Sequence, residues 1–152
     1  MSGADAESAV AAVPAMASRL GYAGLVPFVA GALLCLLPDP AWGAFGERLL
    51  IGYAAVILSF MGAVHWGVAL GEPALAPRLY LVSVLPALLA WVALLIPPLP
   101  ALALLATTFT LLFAFDLRQS RDGPLPAWYP RLRAPLTFVV LMCLGLGALG
   151  VG

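Results

Sequence analysis

Five apolar stretches dominate this chain, at residues 21–37, 49–70, 79–96, 99–115 and 134–151. A helix rises about 1.5 Å per residue and a bilayer core is about 30 Å thick, so roughly 17–25 apolar residues make one crossing. Each stretch meets that length. The runs are continuously apolar and do not alternate with period two, which excludes a β-barrel. In hydrocarbon every backbone donor and acceptor must find a partner within the protein, so such runs must be helices. The expected fold is all-α: a polytopic membrane bundle of five transmembrane helices.

The links between the runs support this division. Pro38, Asp39 and Pro40 end the first run, and Pro27 inside it should kink it. Glu47 and Arg48 precede the second run, and Gly71, Glu72 and Pro73 stop it. Pro86 interrupts the third. Pro97, Pro98 and Pro100 form a charge-free turn that should join the third and fourth helices as a hairpin. Asp116 closes the fourth run, and the long polar segment that follows leads to the fifth. Residues 1–18 hold Asp5 and Glu7 ahead of Arg19. A signal peptide needs a positive n-region, so this stretch is expected to be a mobile cytoplasmic tail. Residues 19–152 would then form a single transmembrane domain.

Charge content excludes the other classes. Only 9% of the 152 residues are charged, against about 25% in a soluble domain, so a soluble surface could not be clothed. Nor does the chain suit a disordered tail or a secreted disulfide scaffold. Net charge is zero and there is no basic tract, so nucleic acid is not an expected partner. Cys35 and Cys143 lie far apart in apolar runs, as small buried residues do. A single histidine excludes sites that need two, and no metal or other cofactor is expected.

Orientation follows from the arginines. With the N-terminus cytoplasmic, the inner segments hold Arg19, Arg78, Arg118, Arg121, Arg131 and Arg133, and the outer ones hold Arg48 alone. The positive-inside rule therefore places the C-terminus outside. Trp42 and Trp128 fall near opposite faces, where interfacial aromatics anchor.

That topology gathers the polar side chains in the cytoplasmic half. His65 lies five residues before the end of its run, roughly 7–8 Å below the interface. Ionisable groups within the membrane are functional candidates by default, although a neutral imidazole can also simply bridge helices. Trp66 beside it has an apolar face that suits a lipid or quinone slot, or merely fills space. Ser83, Thr110, Asp116 and Thr137 fall at similar depth and complete a candidate intramembrane polar site. Asp116 has two roles open to it: a boundary residue reaching water, or a partner of His65 or Arg118. A Ser83–His65–Asp116 hydrolase is disfavoured, because the sequence lacks a Gly-x-Ser-x-Gly elbow and an evident oxyanion hole. No catalytic residue is assigned. The outer half is almost wholly Leu, Ala, Val, Gly and Pro, which argues against a polar path across the membrane.

Two further groups stand out. Gly62, Gly67 and Gly71 offer a small-residue face for helix packing, as do Gly145 and Gly147 on the last helix. Arg118, Arg121, Trp128, Tyr129, Arg131 and Arg133 make a candidate cytoplasmic contact patch stiffened by Pro126 and Pro130. Its simpler role is an interfacial anchor, with rings at headgroup level and arginines on lipid phosphate.

Several segments together resemble one family. They are GYAGLVPF at 21–28, YAAVILSFMGAVHWGVAL at 53–70, SVLPALLAWVALL at 83–95, and Asp116 followed by GPLPAWYPRLRAPLTFVV at 123–140. The most specific pieces are ILSF-x-G-x-x-x-W-G at 57–67 and W-Y-x-x-L-R-x-x-L-T at 128–137. The chain resembles, over about residues 19–143, the membrane family catalogued as domain of unknown function 3429, which includes the mitochondrial transmembrane protein 69. The resemblance implies about five helices and carries over no settled activity. The leading functional expectation is a non-catalytic accessory or assembly component of a membrane complex in the bacterial inner (cytoplasmic) membrane. Its expected partners are membrane lipids and another membrane protein or complex. The alternatives are an oligomeric small-molecule or ion carrier with a site around His65, and a membrane enzyme or binder acting on a lipid or quinone.

Overall fold

The computed structural model describes residues 12–72 and 74–150 and contains no strand among them. Its helices are α1 (Ala15–Ala23), α2 (Val26–Cys35), α3 (Pro40–Ala69), α4 (Ala76–Ala93), α5 (Pro98–Asp122) and α6 (Trp128–Gly150). Five units are long and apolar enough to cross a membrane, with α1 and α2 together forming the first, Ala15–Cys35. The chain is a multi-pass membrane protein. Most of the stretch expected as a tail, residues 1–11, lies outside the described residues, as do Pro73 and residue 151 of the last run.

Helix ends depart from the edges of the apolar runs, each for a local reason. The first helix already begins at Ala15, ahead of Arg19. It breaks at Gly24 and Leu25, two to three residues ahead of the kink site expected at Pro27. Pro27 instead occupies the first turn of α2, where a missing N–H costs nothing. Pro38-Asp39-Pro40 was expected only to stop a helix, but it also starts one. The Asp39 carboxylate accepts from the N–H of Ala41 at 2.8 Å and of Trp42 at 3.4 Å, with Pro40 as first helical residue. Helix α3 therefore takes in Glu47 and Arg48 and runs for 30 residues. That is about 45 Å, longer than the hydrocarbon core.

At the other end of the bundle the expected polar segment is mostly helical. Helix α5 continues past Asp116 to Asp122, and α6 begins at Trp128. Only residues 123–127 link them. Buried Leu125 donates its N–H to Gln119 O at 3.1 Å, and Ser120 Oγ reaches Pro126 O at 3.4 Å. Pro86 and Pro135 sit inside helices that run through them.

Helix α3 is the axis of the bundle and packs against α2, α4, α5 and α6. Leu50, Ala54 and Leu58 of α3 are fully enclosed, together with Ala101, Leu105 and Phe109 of α5. Phe28 of α2 presents its ring edge-on to Tyr53 at 5.1 Å and to Phe109 at 6.2 Å. Lipid is as apolar as leucine, so close backbone approach and dispersion hold such helices together. Gly62 is where α3 meets α4. A Cβ there would lie 2.6 Å from Ser83 O and 3.3 Å from Pro86 Cγ. Gly46 does the same against α2, where a Cβ would sit 2.6 Å from Leu34 Cβ and 2.7 Å from Cys35 N. Gly67 faces open space, and Gly71 lies beyond the end of α3. Cys35 and Cys143 are buried free thiols.

Candidate functional site

Three helices bring charged or ionisable side chains together at the end of the bundle that carries the α3–α4 and α5–α6 links. His65 lies four residues before the end of α3, Asp116 six before the end of α5, and Arg133 five after the start of α6. By helical rise they sit roughly 6–9 Å inside those ends. All three are buried: His65 is 0% exposed, Asp116 1% and Arg133 4%.

Asp116 is the centre of the cluster. Its Oδ1 lies 2.8 Å from His65 Nε2, and its Oδ2 accepts from Arg133 Nε at 3.0 Å. A carboxylate oxygen in this pair accepts, so the imidazole proton belongs on Nε2. One acidic group thus engages a base from α3 and a cation from α6, and it ties three helices that are far apart in sequence. The guanidinium balances the carboxylate charge, without which burial would be prohibitive. Phe115 closes the site, its ring edge-on to the imidazole at 5.0 Å. The Arg78 guanidinium lies over the Phe115 ring, 5.4 Å from its centroid and within cation–π range.

Four buried polar atoms around this cluster have no partner among the described residues: His65 Nδ1, Arg133 Nη2, Tyr129 OH and Thr137 Oγ1. Tyr129, Arg133 and Thr137 are spaced by four, so they share one face of α6. Buried polar groups are almost always satisfied, which makes this concentration unusual.

The expected intramembrane residues divide. His65 and Asp116 meet directly, and buried Thr137 lies nine residues after Trp128, one turn beyond Arg133 on the same face of α6. Ser83 is buried, but its hydroxyl donates to Tyr80 O at 2.7 Å, within its own helix. Thr110 points outward and donates to Ala106 O at 2.8 Å. Trp66 is 49% exposed and packs on Tyr80 at 4.8 Å between ring centroids. The expected contact patch divides too. Arg118, Arg121 and Arg131 are exposed, and Trp128 is half-buried with its ring edge-on to Tyr129 at 5.9 Å. Tyr129 directs its hydroxyl inward, and Arg133 belongs to the buried cluster. Sequence reasoning considered Arg118 as an ion-pair partner of Asp116, and Arg133 takes that place. The signal available was the spacing of four from Tyr129 to Arg133 to Thr137.

The arrangement is an electrostatic clamp. Among the described residues no hydroxyl or thiol nucleophile is hydrogen-bonded to His65, whose Nε2 is committed to Asp116. Among the described residues no group of three or more His, Cys, Asp or Glu could hold a metal ion.

The residues that build the clamp lie within a segment shared with other proteins. Transmembrane protein 69 of Xenopus tropicalis is 37% identical over 139 residues, covering 86% of this chain. The chain spans about half the length of that relative, 53%. No solved structure matches the chain. A family model described as "Protein of unknown function (DUF3429)" matches residues 13–149, which include α1 to α5 and all but the last residue of α6. The chain belongs to the DUF3429 family.

Proposed function

We propose that this protein is a non-catalytic accessory or assembly component of a membrane complex in the bacterial inner membrane. Its N-terminus is cytoplasmic, its C-terminus is outside, and it docks through the rim where α5 meets α6. The observation that carries this is the division of arginines at that end. Arg133 turns inward and fixes the bundle, while Arg118, Arg121 and Arg131 stay exposed beside half-buried Trp128. Arginine and tryptophan dominate interface hot spots. The rim is mounted on helix ends joined by a short link, so little entropy is lost on docking.

The test is a Trp128→Ala/Arg131→Ala double variant. It should remain inserted and melt within a few degrees of the parent while losing proteins that co-purify with the parent in mild detergent. A folded double variant that keeps every co-purifying protein rejects docking through this rim.

The orientation has its own test. Reporter fusions after residue 38 and at residue 152 should report the outside, and fusions at residues 74 and 125 the cytoplasm. The motive is the six-to-one arginine asymmetry between the two faces. The inverse pattern contradicts it.

A further inference from the structure

A cavity of about 150 Å³ lies between the α1–α2 break, α3, α5 and α6. Its wall is largely apolar and includes Leu25, Phe28, Ile57, Phe60, Met61 and Phe109. Gly21 and Gly24, beside the helix break, line it as well. Phe60 and Leu20, both on the wall, are more than 60% exposed on the lipid-facing surface, which places the mouth toward the membrane.

Arg133 and Thr137 also line this cavity. Both are only 4% exposed, and each carries an unpartnered polar atom, Nη2 and Oγ1. Thr137 is an exception within this chain. Thr107, Thr108 and Thr110 each donate to the carbonyl four residues back at 2.8 Å. That bond is the usual resort of a helical hydroxyl in apolar surroundings. Thr137 leaves it unmade, beside a guanidinium with an N–H group to spare.

We infer that this cavity binds a membrane-dissolved molecule with a neutral carbonyl at one end of an apolar body, the carbonyl accepting from Arg133 Nη2 and Thr137 Oγ1. Size and charge define the class. A cavity of about 150 Å³ lined by aliphatic and aromatic side chains accepts a single benzene-sized ring or a few methylenes. Asp116 already balances the Arg133 charge, so a carboxylate or phosphate head would bring an uncompensated charge into a buried site. A neutral carbonyl satisfies both donors without that cost. A quinone ring and the ester of a neutral glycerolipid share this chemistry.

The experiment uses the full chain, purified in mild detergent and stripped of lipid. Decylubiquinone and dioctanoylglycerol are titrated separately, with binding measured by equilibrium gel filtration and decanoate as the anionic control. At least one neutral probe should bind at about one per chain, and more tightly than decanoate. Ile57→Phe fills the cavity and should weaken binding by more than about tenfold. Thr137→Val keeps the shape, removes the hydroxyl and should weaken it about fivefold. Thr137→Ser should retain it. Binding of the quinone alone identifies a quinone site, and binding of the glyceride alone a lipid site. Should Ile57→Phe fail to fold, Thr137→Val and Thr137→Ser carry the test. Failure of both neutral probes, or binding that Thr137→Val leaves unchanged, overturns the inference. So does Thr137→Val that only raises the melting temperature, because the polar atoms then serve no ligand. Loss of the co-purifying proteins in the rim variant is scored separately, so either proposal can fail alone.

Discussion

Replacing Asp116 with leucine should destabilise the bundle by about 3–5 kcal/mol, the largest effect expected of any single polar substitution here. The change removes the acceptor of two hydrogen bonds and leaves the Arg133 guanidinium buried and uncompensated. His65 Nε2 loses its partner at the same time. Asp116→Asn should cost nearly as much, because the amide cannot supply the missing charge. Thermal melting in detergent, read by loss of monodisperse protein, checks this. An Asp116→Leu variant that melts within two or three degrees of the parent would show that the carboxylate reaches water.

A second large effect is expected where α3 crosses α4. Gly62→Val should lower stability by about 3 kcal/mol or more, because its Cβ would sit 2.6 Å from the Ser83 carbonyl oxygen and nothing flexible can yield. Gly67→Ala is the matched control. Among the described residues no atom beyond the local helix backbone lies within 4 Å of a Cβ there, so the change should be neutral or stabilising by about 0.5–1 kcal/mol through helix propensity. Equal penalties at the two positions would mean that α4 packs elsewhere on α3.

These positions also mark how far the sequence could be followed. Gly62 and Gly67 looked like one packing face. Five residues along a helix turn it by about 140°, however, so only Gly62 meets α4. Thr110 shows the same problem. Its depth in the membrane can be counted from the run boundaries, but its direction around the helix cannot, and it points outward. The centres of the five spans are legible because hydropathy alone sets them. Their ends are set by side-chain chemistry that hydropathy does not register: the Asp39 cap on α3, and an inward-facing Asp116 that lets α5 continue as a polar helix.

Arg133 was assigned to the surface because it stands in an arginine-rich stretch. Once α6 is known to begin at Trp128, spacing alone puts Arg133 on the face shared by Tyr129 and Thr137. The meeting of His65 and Asp116 was one of the open alternatives, since both fall at a similar depth. What selects it is tertiary, the packing of α3 against both α5 and α6.

The central claim is that Asp116 and Arg133 form a mutually compensating buried pair that ties α5 to α6. A double-mutant cycle tests it most directly, using Asp116→Leu, Arg133→Met and the two combined, with unfolding measured in one detergent. Each single change should be severe, because it leaves one charge buried alone. The combined variant should recover much of the loss, with a coupling of at least about 2 kcal/mol between the positions. Additive losses, with the double variant as damaged as the sum of the singles, would contradict it.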